Sequence, residues 1–599
     1  MKYFPAHCSL VPAGTHVAFL TDNANGRSYT IAKPQAHAFL LLFGCRTPEH
    51  HVEQLLMHEL PNLNRDLARS LVSGWIHQGL LQPESVLGLS PETATTTAPG
   101  SPPAPQCSFC CCTAGRPAAL RAWLHEHATF MSAQADMLQQ VLIIEDSRNH
   151  VDIAQNRQAV TEFQRSSAQP VPVRIFDRTA RKDFVRQLGQ QLPTDTKEEV
   201  LSFAFLGELP MPTNHTSLGA ARNTALLCGA APLLNFCDDD IRARFYTLPG
   251  DDGVHDGASH SGGAVATSRP LLLSNPTSDV RFFPDAATLE AECTGLTDYP
   301  VYRRIAEAFN TFNPGTTAQP PALDLSAAGP ELLALLQAPT PVSVHAVSTG
   351  YCGARPYAHP FRTFLFRHEH SEQLLEDRTA FERIRQNPLL IRHCTHTVLD
   401  GALSFSPGFS AIDARSPAIP FFPVGRRQDD TYRAMYRICF PEQLFVNLPV
   451  AAFHDPQYKC PFPEAEIESY PLDIGAWTHI ITQRFAARLH HHTGAYRLQE
   501  MALSFLELSS LSSQDLRSFL LPLHQAHYKA LVLHIQRELE LYADPPWWVT
   551  ERRHALSVLQ REQSVGPHQT AEQLQEYLEI YRLWGELLML WPEIVQASR

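Results

Sequence analysis

The chain has 599 residues, 44% of them apolar, and carries 48 lysines and arginines against 61 aspartates and glutamates, a formal net charge of −13. That length exceeds what one core supports and predicts roughly two to four domains, while the acidic balance argues against a nucleic-acid partner, which calls for a basic surface. No run approaches the ~18 apolar residues that cross a bilayer, so no membrane span is expected. The opening Met1-Lys2-Tyr3-Phe4-Pro5 lacks the basic and apolar regions of a secretory signal, which points to a cytoplasmic location. Thirteen scattered cysteines do not make a disulfide framework, and the sequon Asn214-His215-Thr216 is expected to be unused.

Residues 1–89 read as a small α+β unit. Val17-Ala18-Phe19-Leu20 and Tyr29-Thr30-Ile31 are strands around an Asn23-Ala24-Asn25-Gly26 turn, whose residue types suit positive φ. Three helices follow. One opens at Pro34 and carries Phe39-Leu40-Leu41-Leu42, a second holds Val52, Leu55 and Leu56, and a third repeats Leu67, Leu71, Trp75 and Ile76 at helical spacing. Two strands, three helices and the closing Trp75-Ile76-His77-Gln78-Gly79-Leu80-Leu81 resemble the PqqD-like, winged-helix recognition elements of ribosomally made, modified peptides. That resemblance implies a leader peptide as partner. Residues 90–106, rich in Ser, Thr, Pro and Ala, have too little apolar surface to pack and form a linker; some sixteen flexible residues reach about 20–24 Å.

From Cys107 apolar strands alternate with helical stretches, which predicts a parallel sheet. Phe109-Cys110-Cys111-Cys112 runs into Thr113-Ala114-Gly115-Arg116-Pro117, Val141-Leu142-Ile143-Ile144 ends in Glu145-Asp146-Ser147, and Val173-Arg174-Ile175-Phe176 ends in Asp177. Next come Ala220-Ala221-Arg222-Asn223 on a small-residue helix and Leu233-Leu234-Asn235-Phe236-Cys237, closed by Asp238-Asp239-Asp240. Three carboxylates at the end of a strand suit a hard divalent cation, Mn²⁺ or Mg²⁺, at the carboxyl edge of an α/β sheet. The alternative is an acidic helix N-terminus, with Ile241-Arg242-Ala243-Arg244 as the helix.

In this order the Thr/Arg-Pro turn, the acidic second strand end, the Ala-Arg-Asn run and the acidic triplet resemble the GT-A nucleotide-sugar glycosyltransferases of family 2, over about residues 107–244. Pro420-Phe421-Phe422-Pro423-Val424-Gly425-Arg426-Arg427-Gln428-Asp429-Asp430 and Leu448-Pro449-Val450 before His454-Asp455-Pro456 extend the likeness. The resemblance implies a nucleoside-diphosphate sugar donor near Thr113, Arg116, Asp146, Arg222, Asn223, Asp238 and Asp239, with Arg222 and Asn223 framing the diphosphate or bracing the strand of the acidic triplet, and with Glu145 structural. It implies a Mn²⁺ or Mg²⁺ ion on Asp238, Asp240 and His454. An inverting transfer needs a carboxylate base at the acceptor hydroxyl, and the block offers Asp429 or Asp430. Gln428 stands where the family pattern has an acid, and a helix cap is the alternative role of the pair.

Residues 107–470 thus form the expected transferase domain, with a loop over Asp251–Ala264, and residues 471–599 an α-helical domain with Leu503, Phe505, Leu506, Leu531, Ile535, Leu539, Leu574, Leu578 and Tyr581 on its apolar faces. Pro545-Pro546 should interrupt the helices. The Cys107/Cys110 pair is set aside as a metal site because neighbours on a strand face opposite ways; His490-His491-His492 and His368-Glu369-His370 also lack a ligand geometry. The expected whole is a multidomain α/β protein: a metal-dependent glycosyltransferase acting on a leader-bound precursor peptide. The alternatives are a polysaccharide or small-molecule acceptor, or a non-catalytic peptide-binding scaffold.

Overall fold

The computed structural model describes every residue outside 7, 13–16, 23–26, 43, 58–62, 85–105, 167–170, 193–197, 211–214, 249–263, 267–277, 284, 297–298, 313–322, 326–327, 329, 338–341, 355–377, 380–381, 383–388, 395–396, 400–408, 416–417, 456–469, 487, 490–493 and 542–544. The Asn23–Gly26 turn, nearly all of the linker, the 251–263 loop, Asn214, Pro456, His368–His370 and His490–His492 therefore lie outside the described residues.

The chain is a multidomain α/β protein around a mixed sheet, with fourteen strands among the described residues. Seven of these strands build its centre. They are Cys107–Thr113, Leu138–Glu145, Val173–Phe176, Leu233–Asp238, Ser343–Ala354, Phe409–Asp413 and Gln443–His454, counted here from first to seventh. Across the sheet they lie in the order third, second, first, fourth, sixth, fifth, seventh. The first pairs in parallel with both the second and the fourth, the fifth pairs in parallel with the seventh, and the sixth runs antiparallel to both its neighbours. Strand order reverses between the first and fourth, and such a switch point opens a crevice beyond the strand ends.

Every residue of Cys107–Thr113 is buried, as expected of a strand covered on both faces. Cys110 and Cys112 join Leu142, Ile144, Leu234 and Phe236 on one face. Cys107, Phe109 and Cys111 join Val141, Ile143 and Cys237 on the other. The Cys107/Cys110 pair is split between the two faces. The first face is covered by helices Leu218–Cys228 and Gln428–Cys439, and the late helices Ile474–Ala486, Gly494–Ser509, Ser513–Leu541, Pro546–Val565 and Ala571–Ala597 extend the same apolar cluster outward from helices Glu198–Leu206 and Gln428–Cys439. One apolar cluster runs from Cys110 to Ile594, so residue 470 marks a change of composition within a continuous core. Helix Pro546–Val565 begins at the predicted break, but Leu503 is 51% exposed and does not belong to the apolar face assigned to it.

The first eighty-four residues have a core of their own, with Leu20, Phe39, Val52, Leu55, Val72 and Trp75 buried together. A third antiparallel strand, Cys8–Pro12, joins Val17–Asp22 and Ser28–Ala32, and a short ribbon pairs Tyr3–Pro5 with Leu81–Pro83. Helix Arg65–Gln78 is capped by the Asn64 side chain and ended by Gly79 at φ +78°, a conformation glycine adopts without a Cβ clash. Its buried face is Ala68, Val72 and Trp75, which leaves Leu67 45% exposed. This unit docks on the second face of the sheet. Gly44 N–H donates to Ala328 O at 2.6 Å and Cys45 N–H to Leu325 O at 2.8 Å, while Phe4 and Cys45 enter the cluster that holds Phe109 and Tyr302.

Candidate functional site at the strand switch point

The carboxyl ends of the first and fourth strands, at the switch point, gather most of the chemistry-bearing residues expected from the sequence. Thr113 ends the first strand, Asp238 ends the fourth opposite Cys112, and His454 ends the seventh. Asp239 and Asp240 form the turn into the strand Ile241–Thr247, which pairs antiparallel with the seventh through Ile241 and His454. That strand removes the acidic-helix alternative: Ile241-Arg242-Ala243-Arg244 is extended, with Ile241, Phe245 and Tyr246 buried.

The two acids of the turn share Arg116, and each has a further partner of its own. The Thr113 hydroxyl donates to Asp239 Oδ2 at 2.6 Å. Arg116, at the N-terminus of helix Pro117–Ala133, pairs with Asp239 and donates to Asp240 Oδ2 at 2.9 Å. Burial raises the Asp239 carboxyl above the ordinary range, against the pull of Arg116. On its other side Asp240 Oδ1 lies 3.4 Å from His454 Nε2. Arg222, on helix Leu218–Cys228, donates to Asp429 Oδ1 at 2.6 Å and to Asp238 Oδ1 at 3.4 Å.

Asp429 and Asp430 occupy the first turn of helix Gln428–Cys439. The preceding turn is built by two positive-φ residues, Gly425 at +80° and Arg427 at +62°, the latter the one non-glycine positive φ among the described residues. Non-glycine residues in this region carry strain that surrounding contacts must hold. Here those contacts are backbone to backbone. Gly475 sits so close to Arg426 O that a Cβ there would be 1.7 Å away, and a Cβ on Gly219 would be 1.9 Å from Phe422 O. Thr216 and Gly425 exchange two further hydrogen bonds, from Gly425 N–H at 2.9 Å and from the Thr216 hydroxyl at 2.8 Å. Asp429 is thereby aimed at Arg222, with 27% of its side chain exposed. Burial lifts its carboxyl to about 6, opposed by Arg222 and reinforced by Asp430 and Asp238.

Two donor-side candidates are engaged within the protein. Both oxygens of Asp146 are engaged inside the protein, one by Arg178 at 3.0 Å and by Arg181, the other by the Ser217 hydroxyl; it ties the second strand to neighbouring helices instead of reaching a ribose. Asn223 is a brace as well. Its amide donates to Ala204 O at 3.0 Å and Phe421 O at 2.9 Å, and its oxygen accepts from Phe421 N–H at 2.7 Å. Glu145 is buried and accepts from Ser147 N–H and Asn156.

The metal expectation changes in part. Among the described residues no three His, Cys, Asp or Glu side chains converge as a ligand set, and Asp238 lies with Arg222 instead of completing a trio with Asp240 and His454. Asp240 and His454 do fit a cation together, because two donors each ~2.1 Å from one ion stand about 3.0–3.4 Å apart. Mg²⁺ is commonly held by one or two protein groups, with substrate phosphates and water completing the shell.

One clamp had no signal in the sequence. Arg242 is buried, donates to Asp455 Oδ2 at 3.0 Å and to Asp239 O at 2.9 Å, and Asp455 N–H donates to Asp240 O at 2.8 Å. It fixes the His454 turn against the Asp240 turn across 213 residues of sequence. No protein-family model matches this sequence, and no curated protein matches it.

Proposed function

We propose that the chain is a metal-dependent, inverting glycosyltransferase of the GT-A kind, which moves a sugar from a nucleoside-diphosphate donor to a precursor peptide held by its leader. The observation that carries this reading is the strand reversal between Cys107–Thr113 and Leu233–Asp238. Open α/β sheets bind ligands outside such a point, and Thr113, Arg116, Asp238, Asp239, Asp240 and His454 stand there together. Asp240 and His454 would hold Mn²⁺ or Mg²⁺, which shields the charge of a departing diphosphate. Asp429 accepts the proton of the acceptor hydroxyl. Arg222 orients it from the donor side and keeps its negative charge tolerable in a half-buried place.

The peptide half of the proposal rests on the first eighty-four residues, read as a PqqD-like winged-helix unit. Its three-stranded sheet has outer strands Cys8–Pro12 and Ser28–Ala32, and an extended peptide can add to a sheet edge through backbone hydrogen bonds. A second reading, the non-catalytic scaffold, draws on one observation: Arg116 and Arg222 already neutralise the acids.

One assay separates the two readings. Release of nucleoside diphosphate from a panel of nucleotide sugars is followed with Mn²⁺, with chelator and in Asp240→Ala. The transferase reading expects turnover that falls by about two or more orders of magnitude in the latter two. Full activity in both would end the metal assignment, and no release from any donor would favour the scaffold. Transfer to core peptide with and without its leader then tests the partner, with leader-independent transfer removing it.

A further inference from the structure

The arginines of the crevice differ in one respect. Arg222 and Arg242 are fully buried, held between Asp238 and Asp429 and between Asp455 and the backbone of Asp239. Arg116 also pairs with two carboxylates, buried to 0% and 4% exposure, yet its own side chain is 37% exposed. A partly exposed arginine side chain thus ends on a pair of buried acids, which need a positive partner to stay ionised away from water. It occupies Asp240 Oδ2 while Oδ1 faces His454, so a divalent cation between Asp240 and His454 would meet the guanidinium at close range and repel it.

We propose that Arg116 is an exchangeable counter-ion: in the ligand-free protein it neutralises Asp239 and Asp240, and on donor binding it yields Asp240 to the divalent cation and turns to the donor's diphosphate. This rests on the glycosyltransferase reading. Three further facts support the exchange. Arg116 is the N-cap residue of a seventeen-residue helix and makes no side-chain capping bond there, so its swing leaves the helix end intact. The first-turn N–H groups of a helix favour an arriving anion. Guanidinium also matches phosphate oxygens in a two-pronged geometry that a point charge lacks. The buried Asp239 keeps the Thr113 hydroxyl as a partner after the exchange.

The experiment measures Mn²⁺ binding to the full chain by electron paramagnetic resonance, first with the metal alone and then with uridine, guanosine, adenosine, cytidine and thymidine diphosphates. Removing the competing charge in Arg116→Gln should tighten Mn²⁺ alone by about threefold or more, while the best diphosphate, at saturating Mn²⁺, should bind about tenfold more weakly. A merely structural arginine would weaken both. Mn²⁺ binding to Arg116→Gln that is no tighter than wild type, or an unchanged diphosphate affinity, overturns the proposal. Absence of Mn²⁺ binding to the wild-type chain, with or without a diphosphate, instead overturns the metal-dependent reading on which it stands. Thermal melting identifies a variant that fails to fold; Arg116→Lys then carries the test, since one ammonium cannot span both acids and the same opposite shifts are expected at about half the size on a logarithmic scale.

Discussion

Asp429 sits where burial and a buried arginine act against each other, with a carboxyl at about 6 as the outcome. A base works only in its ionised form, so kcat/KM for transfer is expected to fall as pH drops below about 6 and to level off above it. The pH–rate profile of the full chain checks this, and a rate that keeps rising through pH 8 would remove Asp429 as the base. Asp429→Asn should retain nucleotide-sugar affinity and lose about 10²–10⁴ in transfer, with Asp430→Asn milder; the reverse order would place the base one residue along. Much of this site was legible in the sequence because its members end strands or open helices, where local pattern fixes position. The partners that hold Asp146 and Asn223 were not legible, for the opposite reason. Arg181 lies 35 residues from Asp146, and Phe421 lies 198 residues from Asn223, and no local pattern announces such partners.

Among the elements, the turn Gly425–Arg427 governs where helix Gln428–Cys439 begins, and two glycines on other helices govern the turn. Gly475→Ala and Gly219→Ala each drive a Cβ into a carbonyl oxygen, and overpacking of this kind costs about 1–3 kcal/mol. Both variants should melt at lower temperature and lose kcat, since Asp429 moves with the turn. Gly74→Ala is the contrast. It lies inside helix Arg65–Gln78 with nothing within 4 Å of an added Cβ, so a gain of about 0.5–1 kcal/mol is expected. A melt in which Gly475→Ala equals wild type would undo this account of the turn. The sequence revealed the acidic opening of helix Gln428–Cys439, because Asp429 and Asp430 stand together, but not the glycine contacts, which depend on another helix. It also misjudged rotation: apolar spacing put Leu503 on a packed face, where the small Ala502 is the buried neighbour.

In the whole molecule, composition suggested a boundary near residue 470 that the core ignores. Phe422 packs against Trp584 and Phe205 against Trp591, with ring centroids 5.2 and 6.3 Å apart. A chain ending at residue 470 would expose the apolar outer side of the helices that cover the sheet, so it is expected in the insoluble fraction or as a dye-binding, poorly packed state; a soluble, cooperatively melting product would contradict the continuous core. Periodicity identified the late helices correctly, but the helices they pack against, Glu198–Leu206 and Gln428–Cys439, carry no local sign of that contact.

The two backbone hydrogen bonds from Gly44 and Cys45 to Ala328 and Leu325 change what the segment between Glu84 and Gln106 does. A tether sets how often two bodies meet; a connection between ends already held in place only closes a loop, and doubling its length costs about 0.6 kcal/mol. Covalent continuity is then dispensable. A protease that cuts once within that stretch should leave two pieces that travel together through gel filtration and part only in denaturant, much as a book keeps its order after the binding thread is cut while the covers still grip the pages.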